Sequence, residues 1–382
     1  MVRILIFTLL ALKFSFGESL DELIDLALKH NPQLKKIEKE LPVLKEKSEV
    51  AKKLPNPSFS LSYNSGINLS MRQYVPWYEK LELSKEIEKQ NYRAYFYIYQ
   101  IEKNKLIRQI KENAYQIKVY RDKINLIEKY QNDINNLLKF KTNQYEINKL
   151  KILNTDLEVE KLDYQNQVEK LISKIKELVN YDIKDVEVDE INIEENLILE
   201  KVLREAEESS PLVKNLEENL KKDRLSYKLA KEIYYPDVSL GITYKSKERF
   251  QDAFSAGINL NLNFPFWRTL GQEQVVLERK LFLVSQQEQK LQLLNNLKST
   301  IVSLYVDYQY KLKKLKVFIE TKQVYEDDFK NSYKKFSLSE VNFQDFLTSF
   351  SEKKKSDYSL LDLKLNTAIS ILKIKELINL EN

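Results

Sequence analysis

The chain has 382 residues, 31% of them charged, with 5 Gly, 8 Pro and no Cys. Its net charge of +5 is small beside 62 basic and 57 acidic residues, and the interspersed signs describe a solvated helix surface, not a nucleic-acid-binding one. The lack of cysteine excludes disulfides, thiolate chemistry and zinc fingers. Residues 78–209 and 272–382 contain no glycine or proline. Stretches of that kind, rich in Lys, Glu, Leu and Ile, describe long helices and not two or three ordinary domains.

Residues 1–17 read as a secretory signal: Arg3 is basic, residues 4–12 are apolar, and Ser15 and Gly17 stand three and one before a cut ahead of Glu18. No later apolar run reaches 18 residues, so no transmembrane helix is expected. A short amphipathic helix then follows over residues 19–30, and Asn31-Pro32 opens a second helix to about residue 54, with Pro42 expected to kink it. Residues 58–76 form a hairpin, with Phe59, Leu61, Tyr63, Ile67, Leu69 and Met71 alternating against Ser60, Ser62, Asn64, Asn68, Ser70 and Arg72.

From residue 78 to 141 the period becomes helical, through Ile110, Ala114, Ile117, Ile127 and Ile134. Roughly 65 residues at about 1.5 Å each give a rod of about 95–100 Å. A break over residues 142–149 separates it from a heptad run through Leu150, Leu157, Tyr164, Val168 and Ile175, expected to pair antiparallel as a coiled coil. Residues 181–195, acidic and irregular, are the expected linker.

The pattern then starts again. Pro32 and Pro211, and Pro57 and Pro236, stand at one common offset of 179 residues. A second hairpin follows over residues 237–265, with a longer tip at 245–255, and then a second rod from 269 to about 336, a break at 337–340 and a last helix to about 380. In its second strand Ile258, Leu260, Leu262 and Phe264 alternate with Asn259, Asn261 and Asn263 before Pro265 stops the ladder. The chain is therefore an internal duplication, residues 18–180 and 196–382, of helix, helix, strand, strand, long helix, helix.

An apolar face backed by an amide- and hydroxyl-rich face suits a wall between lipid and water. Four strands cannot close a barrel and an open edge in lipid is forbidden, so identical chains must share the wall. Three copies give twelve strands, within the known range. Helices this polar must extend into water.

This arrangement resembles the TolC-type outer-membrane efflux proteins over essentially all of residues 18–382. The resemblance is carried by the duplication, the prolines before each hairpin, Phe264-Pro265-Phe266-Trp267 with Gly271 ahead of a long helix, and the stretch from Phe336 through Ser339 and Asp345 to Leu347. It implies a mainly α fold with a small β part: a homotrimer with a twelve-stranded barrel, four strands per chain, on a long helical periplasmic tunnel. It further implies an outer-membrane exit duct working with a periplasmic adaptor and an inner-membrane pump, proton-driven or ATP-driven. Type I protein secretion is an alternative cargo. An elongated periplasmic tether without a pore is the competitor from another class.

By the same resemblance Asp345 belongs to an acidic ring at the narrow periplasmic end, with Thr348 where the family has a second aspartate and Asn154 as its counterpart in the first repeat. Tyr145, Asn148, Phe336 and Ser339 fall on the periplasmic tip turns, Ser339 standing where the family usually has glycine. Trp77, and Phe266 and Trp267 in the second repeat, follow each hairpin and are expected at the membrane boundary. The run Lys353-Lys354-Lys355 reads as a solvated face, and His30, the one histidine, as solvent-facing. Without a nucleophile–base pair, phosphate loop or metal cluster in the sequence, no catalysis and no cofactor are expected.

Overall fold

The computed structural model describes residues 17–63, 66–191, 193, 197–235, 237–247, 253–261 and 271–378. The helix–helix–strand–strand–helix–helix order occurs twice among them. The first round is α1 (Leu20–His30), α2 (Pro32–Val50), β2 (Ser58–Tyr63), β3 (Gly66–Val75), α3 (Tyr78–Phe140) and α4 (Gln144–Val179). The second is α5 (Leu199–Ser209), α6 (Pro211–Lys231), β5 (Asp237–Lys247), β6 (Ala253–Asn261), α7 (Gln272–Ser337) and α8 (Phe343–Ile378). Two short strands, β1 (Glu18–Ser19) and β4 (Val186–Glu187), and a 3-10 turn (Glu232–Tyr234) complete the described elements.

Local chemistry sets the helix starts. Ser19 and Glu22 form a reciprocal capping box on α1, the Ser19 N–H donating to Glu22 Oε2 at 3.0 Å and the Glu22 N–H to Ser19 Oγ at 3.3 Å. The Asn31 side chain accepts from the Gln33 and Leu34 N–H groups at 3.0 and 3.1 Å and so starts α2. Pro42 lies inside α2, which ends at Val50, earlier than expected, in a turn ahead of Pro55. The long helices α3 and α7 run for 63 and 66 residues; nothing in their sequences interrupts the backbone ladder.

Two compact units cut across the sequence repeats. The first, entirely helical apart from β1 and β4, takes the described residues up to Lys35, Glu102–Ala206 and those from Lys298 on. Its core includes Ile127, Tyr130, Ile134 and Leu137 of α3, Leu150 and Leu157 of α4, Phe329 and Phe336 of α7, and Phe346 and Phe350 of α8. Heptad positions Leu150, Leu157, Val168 and Ile175 of α4 are all buried, as their period demands.

Two sequence expectations change in this unit. The break placed at 142–149 shrinks to residues 141–143, because the Asn143 side chain caps α4 by accepting the Tyr145 N–H at 2.9 Å. Tyr145 and Asn148 therefore lie in the first turns of a helix and not in the connection. The expected linker is docked: β4 pairs parallel with β1, Ile183 and Val186 are fully buried, and Arg121 binds the Val186 carbonyl and the Asp185 carboxylate.

The second unit, Lys36–Ile101 with Glu207–Leu297, contains the four-stranded sheet. Strand order is β2-β3-β5-β6 and every pair is antiparallel. Strands β5 and β6 reach Lys247 and Ala253, so the expected tip at 245–255 is shorter than its sequence implied. The end of the second hairpin, with Pro265, Phe266 and Trp267, lies outside the described residues, as do residues 1–16.

Candidate functional site

Period two and the register together give the sheet two unlike faces. On one, Leu61, Leu69, Tyr244 and Phe254 stand in a row across all four strands, next to Phe59, Met71 and Ile242. These side chains are exposed, Leu61 at 73% and Phe254 at 70%. The other face carries the rows Ser60–Ser70–Thr243–Ser255 and Ser58–Arg72–Gly241–Gly257; Ser60 and Ser70 share a 2.6 Å hydrogen bond. A sheet that exposes a continuous row of large apolar side chains departs from the burial expected of a water-soluble fold. Within the described sheet β2 and β6 each have one neighbour, so the outer edge of each is unpaired.

Trp77 follows β3 and stacks on Tyr235 at 5.7 Å, 40% exposed. Its N–H donates to Asp237 Oδ1 at 3.0 Å, and Lys80 Nζ reaches both Asp237 oxygens at 2.8 Å. This clasp fixes where the hairpin gives way to α3. It is invisible in the sequence because its partners lie about 160 residues apart.

In the helical unit the two turns pack on each other. The α7 end is a Schellman arrangement: the Glu340 N–H donates to the Lys335 carbonyl at 2.9 Å and the Ser339 N–H to the Phe336 carbonyl at 3.1 Å. Ser339 takes φ +60°, the left-handed conformation that glycine adopts without penalty. The serine thus holds the conformation of the glycine it replaces. Ser339→Val is expected to be about 1–2 kcal/mol less stable than Ser339→Gly in thermal unfolding of the purified protein, since both lose the hydroxyl and only valine resists the left-handed conformation.

Lys141 joins the turns. Its side chain is 2% exposed, pairs with Glu146 at 2.9 Å, donates to Ser339 Oγ at 3.3 Å and lies 3.7 Å from the centre of the Phe336 ring. Phe336 is fully buried and stacks on Phe346 at 4.7 Å. Phe336 is therefore core, not an exposed turn residue, whereas Tyr145 is exposed and the Asn148 side chain accepts a hydrogen bond from Gln144 at 3.0 Å.

Asp345 and Thr348 are both exposed, three residues apart and so on one face of α8; the Asp345 N–H donates to the Asn342 side chain at 2.9 Å. Asn154 is half-buried, and its Oδ1 has no hydrogen-bond partner among the described residues. No hydrogen bond among the described residues joins Asn154 to Asp345.

The lysine run is not simply solvated. Lys353 pairs with Asp357 at 2.5 Å and Lys354 with Glu160 at 2.5 Å, leaving Lys355 exposed. Asp357, buried, also accepts from the Tyr130 hydroxyl at 2.5 Å, and burial followed by that carboxylate pushes the Tyr130 phenol far up. These groups border a cleft of about 460 Å³ with Lys129, Asp133 and Phe329, where burial raises the Asp133 carboxyl. Among the described residues no cluster of three metal-ligating side chains is present.

The chain superposes on solved outer-membrane channels. The match to CusC, known from structures that follow folding and transmembrane channel formation, has a TM-score of 0.77 at 12% identity over 97% of this chain and 95% of that one. For the Campylobacter jejuni CmeC outer membrane channel the values are 0.74, 14%, 95% and 86%. For the open state of the Neisseria gonorrhoeae MtrE outer membrane channel they are 0.74, 12%, 94% and 88%. No protein-family model and no curated protein sequence matches the chain. The fold is that of an outer-membrane channel. Within that class it is the fold of the TolC-type efflux channels, mostly helical with a small sheet.

Proposed function

We propose that the chain is the outer-membrane exit duct of a tripartite efflux system, with its sheet in the outer membrane and its helices in the periplasm. The observation that carries this reading is the sheet itself, with an exposed apolar face, a hydroxyl-rich face and two unpaired edges. In lipid such edges must be closed by other strands, and copies of the same chain supply them. Three copies close a twelve-stranded barrel.

A second feature supports self-association. In the helical unit α7 buries Ile301, Tyr308, Leu312 and Phe329, yet also exposes Val302, Val306, Tyr310, Val317 and Val324, spaced at four and seven residues. That spacing is a second heptad seam, left exposed among the described residues, and a neighbouring copy covers it. Transport free energy comes from an inner-membrane pump reached through a periplasmic adaptor; the duct performs no catalytic step and binds no cofactor. It is gated at its helical turns, where Asp345, Thr348 and Asn154 set the constriction. A type I protein-secretion duct is not favoured by any observation here, and a tether without a pore leaves the apolar sheet face unexplained.

Detergent-purified protein is expected to migrate as a trimer that collapses to monomer on heating, and to conduct in planar bilayers. A monomer without conductance overturns the reading. In the conducting protein, Asp345→Ala is expected to weaken cation preference and block by multivalent cations. Unchanged selectivity and block remove Asp345 from the gate.

A further inference from the structure

Beyond the export duct, and resting on that reading, the hydroxyl-rich face of the sheet carries an unbalanced charge. By register its charged residues are Arg72, Lys245, Lys247 and Asp237, with Ser58, Ser60, Ser70 and Thr243 in the neighbouring positions. Asp237 is already neutralised, both oxygens lying 2.8 Å from Lys80. Arg72 and Lys245 are exposed, and among the described residues neither side chain has an acidic partner.

The surroundings of Arg72 leave its charge unobstructed. Its cross-strand neighbours are Ser58 on one side and Gly241 on the other, with Gly257 next in the same row. Neither glycine is demanded by packing: a Cβ on Gly257 would meet nothing within 4 Å, and one on Gly241 only the Met71 carbonyl at 3.7 Å. Two successive strands thus present bare backbone beside the guanidinium. With strands about 4.8 Å apart, the two missing side chains leave open space beside Arg72 in that row. The guanidinium offers five N–H donors and no acceptor, so the ligand it takes is a carboxylate, phosphate or halide.

We infer that Arg72, helped by Lys245, is a specificity-determining group of the duct, making the water-facing wall of the barrel prefer anionic solutes over cationic ones. Three symmetry-related copies would place three guanidinium and three ammonium groups around one lumen, where low-dielectric walls focus their field. The wall therefore selects by charge with the opposite sign to the Asp345 carboxylates proposed for the gate.

The test is the reversal potential in a KCl gradient, measured on full-length trimer in planar bilayers. The parent is the Asp345→Ala protein, so that no gate carboxylate competes. It is expected to prefer chloride over potassium. Arg72→Gln is expected to lower the chloride-to-potassium permeability ratio by about fourfold or more, because one unit charge about 10 Å away in water shifts chloride and potassium about twofold each in opposite directions and three copies lose it together. Adding Lys245→Gln should lower it further, and Arg72→Lys should leave it unchanged. Heat-sensitive trimer migration of each variant checks assembly. A parent that conducts with a potassium preference, or a ratio unmoved by both glutamine substitutions, overturns the inference while the duct stands. A parent that forms no channel overturns the duct reading and this inference together.

Discussion

Lysine in place of Leu61 is expected to remove the heat-sensitive trimer from the outer-membrane fraction, whereas lysine in place of the adjacent Ser60 is expected to leave it. The two positions differ only in the face they occupy. Leu61 lies in the row with Leu69, Tyr244 and Phe254, and Ser60 in the row with Ser70, Thr243 and Ser255. A lysine held at the bilayer midplane on the lipid side of a barrel costs about 2–4 kcal/mol, and less towards the interfaces. Three copies incur it together, which is comparable with the whole stability of a typical domain. The same lysine on the water side costs little. Equal recovery of both trimers from washed membranes would show that the exposed apolar face does not meet lipid.

Replacing Phe336 by alanine is expected to be the most destabilising single change in the helical turns, at about 3–5 kcal/mol. Its ring is fully buried, stacked on Phe346 and edge-on to Phe343 at 6.1 Å. The loss reaches further than the cavity, because the ring is also the floor under Lys141. That side chain is almost wholly withdrawn from water and is held against Glu146 and the aromatic face; without the ring one of those contacts is gone. Tyr145→Ala, by contrast, changes an exposed side chain and is expected to stay within about 0.5 kcal/mol. Chemical unfolding of the two variants beside the parent checks both values. Similar midpoints for the two would place Phe336 outside the core.

Much of this fold is written locally. The alternation of Leu61, Leu69 and Ile242 with serine and threonine declares a two-faced sheet before any coordinates. The long stretches free of glycine and proline declare α3 and α7, and the 179-residue proline offset declares the duplication. What escapes the sequence depends on partners brought from afar. The expected linker pairs with residues 18–19 through strands of two residues, too short to show any period. Lys141, Lys353 and Lys354 look like surface lysines because their burial is set by Glu146, Asp357 and Glu160 across packed helices. The early start of α4 was legible in Asn143, a capping residue, and a reading of apolar spacing alone passes over it. At the proposed gate, Asp345 and Thr348 are found exposed on a common helix face, but a constriction needs more than one chain, so no single sequence position displays it.

The unpaired edges of β2 and β6 have a consequence for the life of the chain before assembly. A single copy in water presents two rows of free backbone donors and acceptors beside a wide apolar surface, the combination from which strand-mediated aggregates grow. Chains on the way to the proposed trimer are thus in a race between correct closure and mispairing. Closure of the proposed trimer needs three copies to meet, so it slows steeply on dilution, while any passing strand can satisfy an edge. Periplasmic holding factors that mask the sheet until three copies meet would decide the yield of working ducts, and limiting them should lower trimer far more than it lowers synthesis.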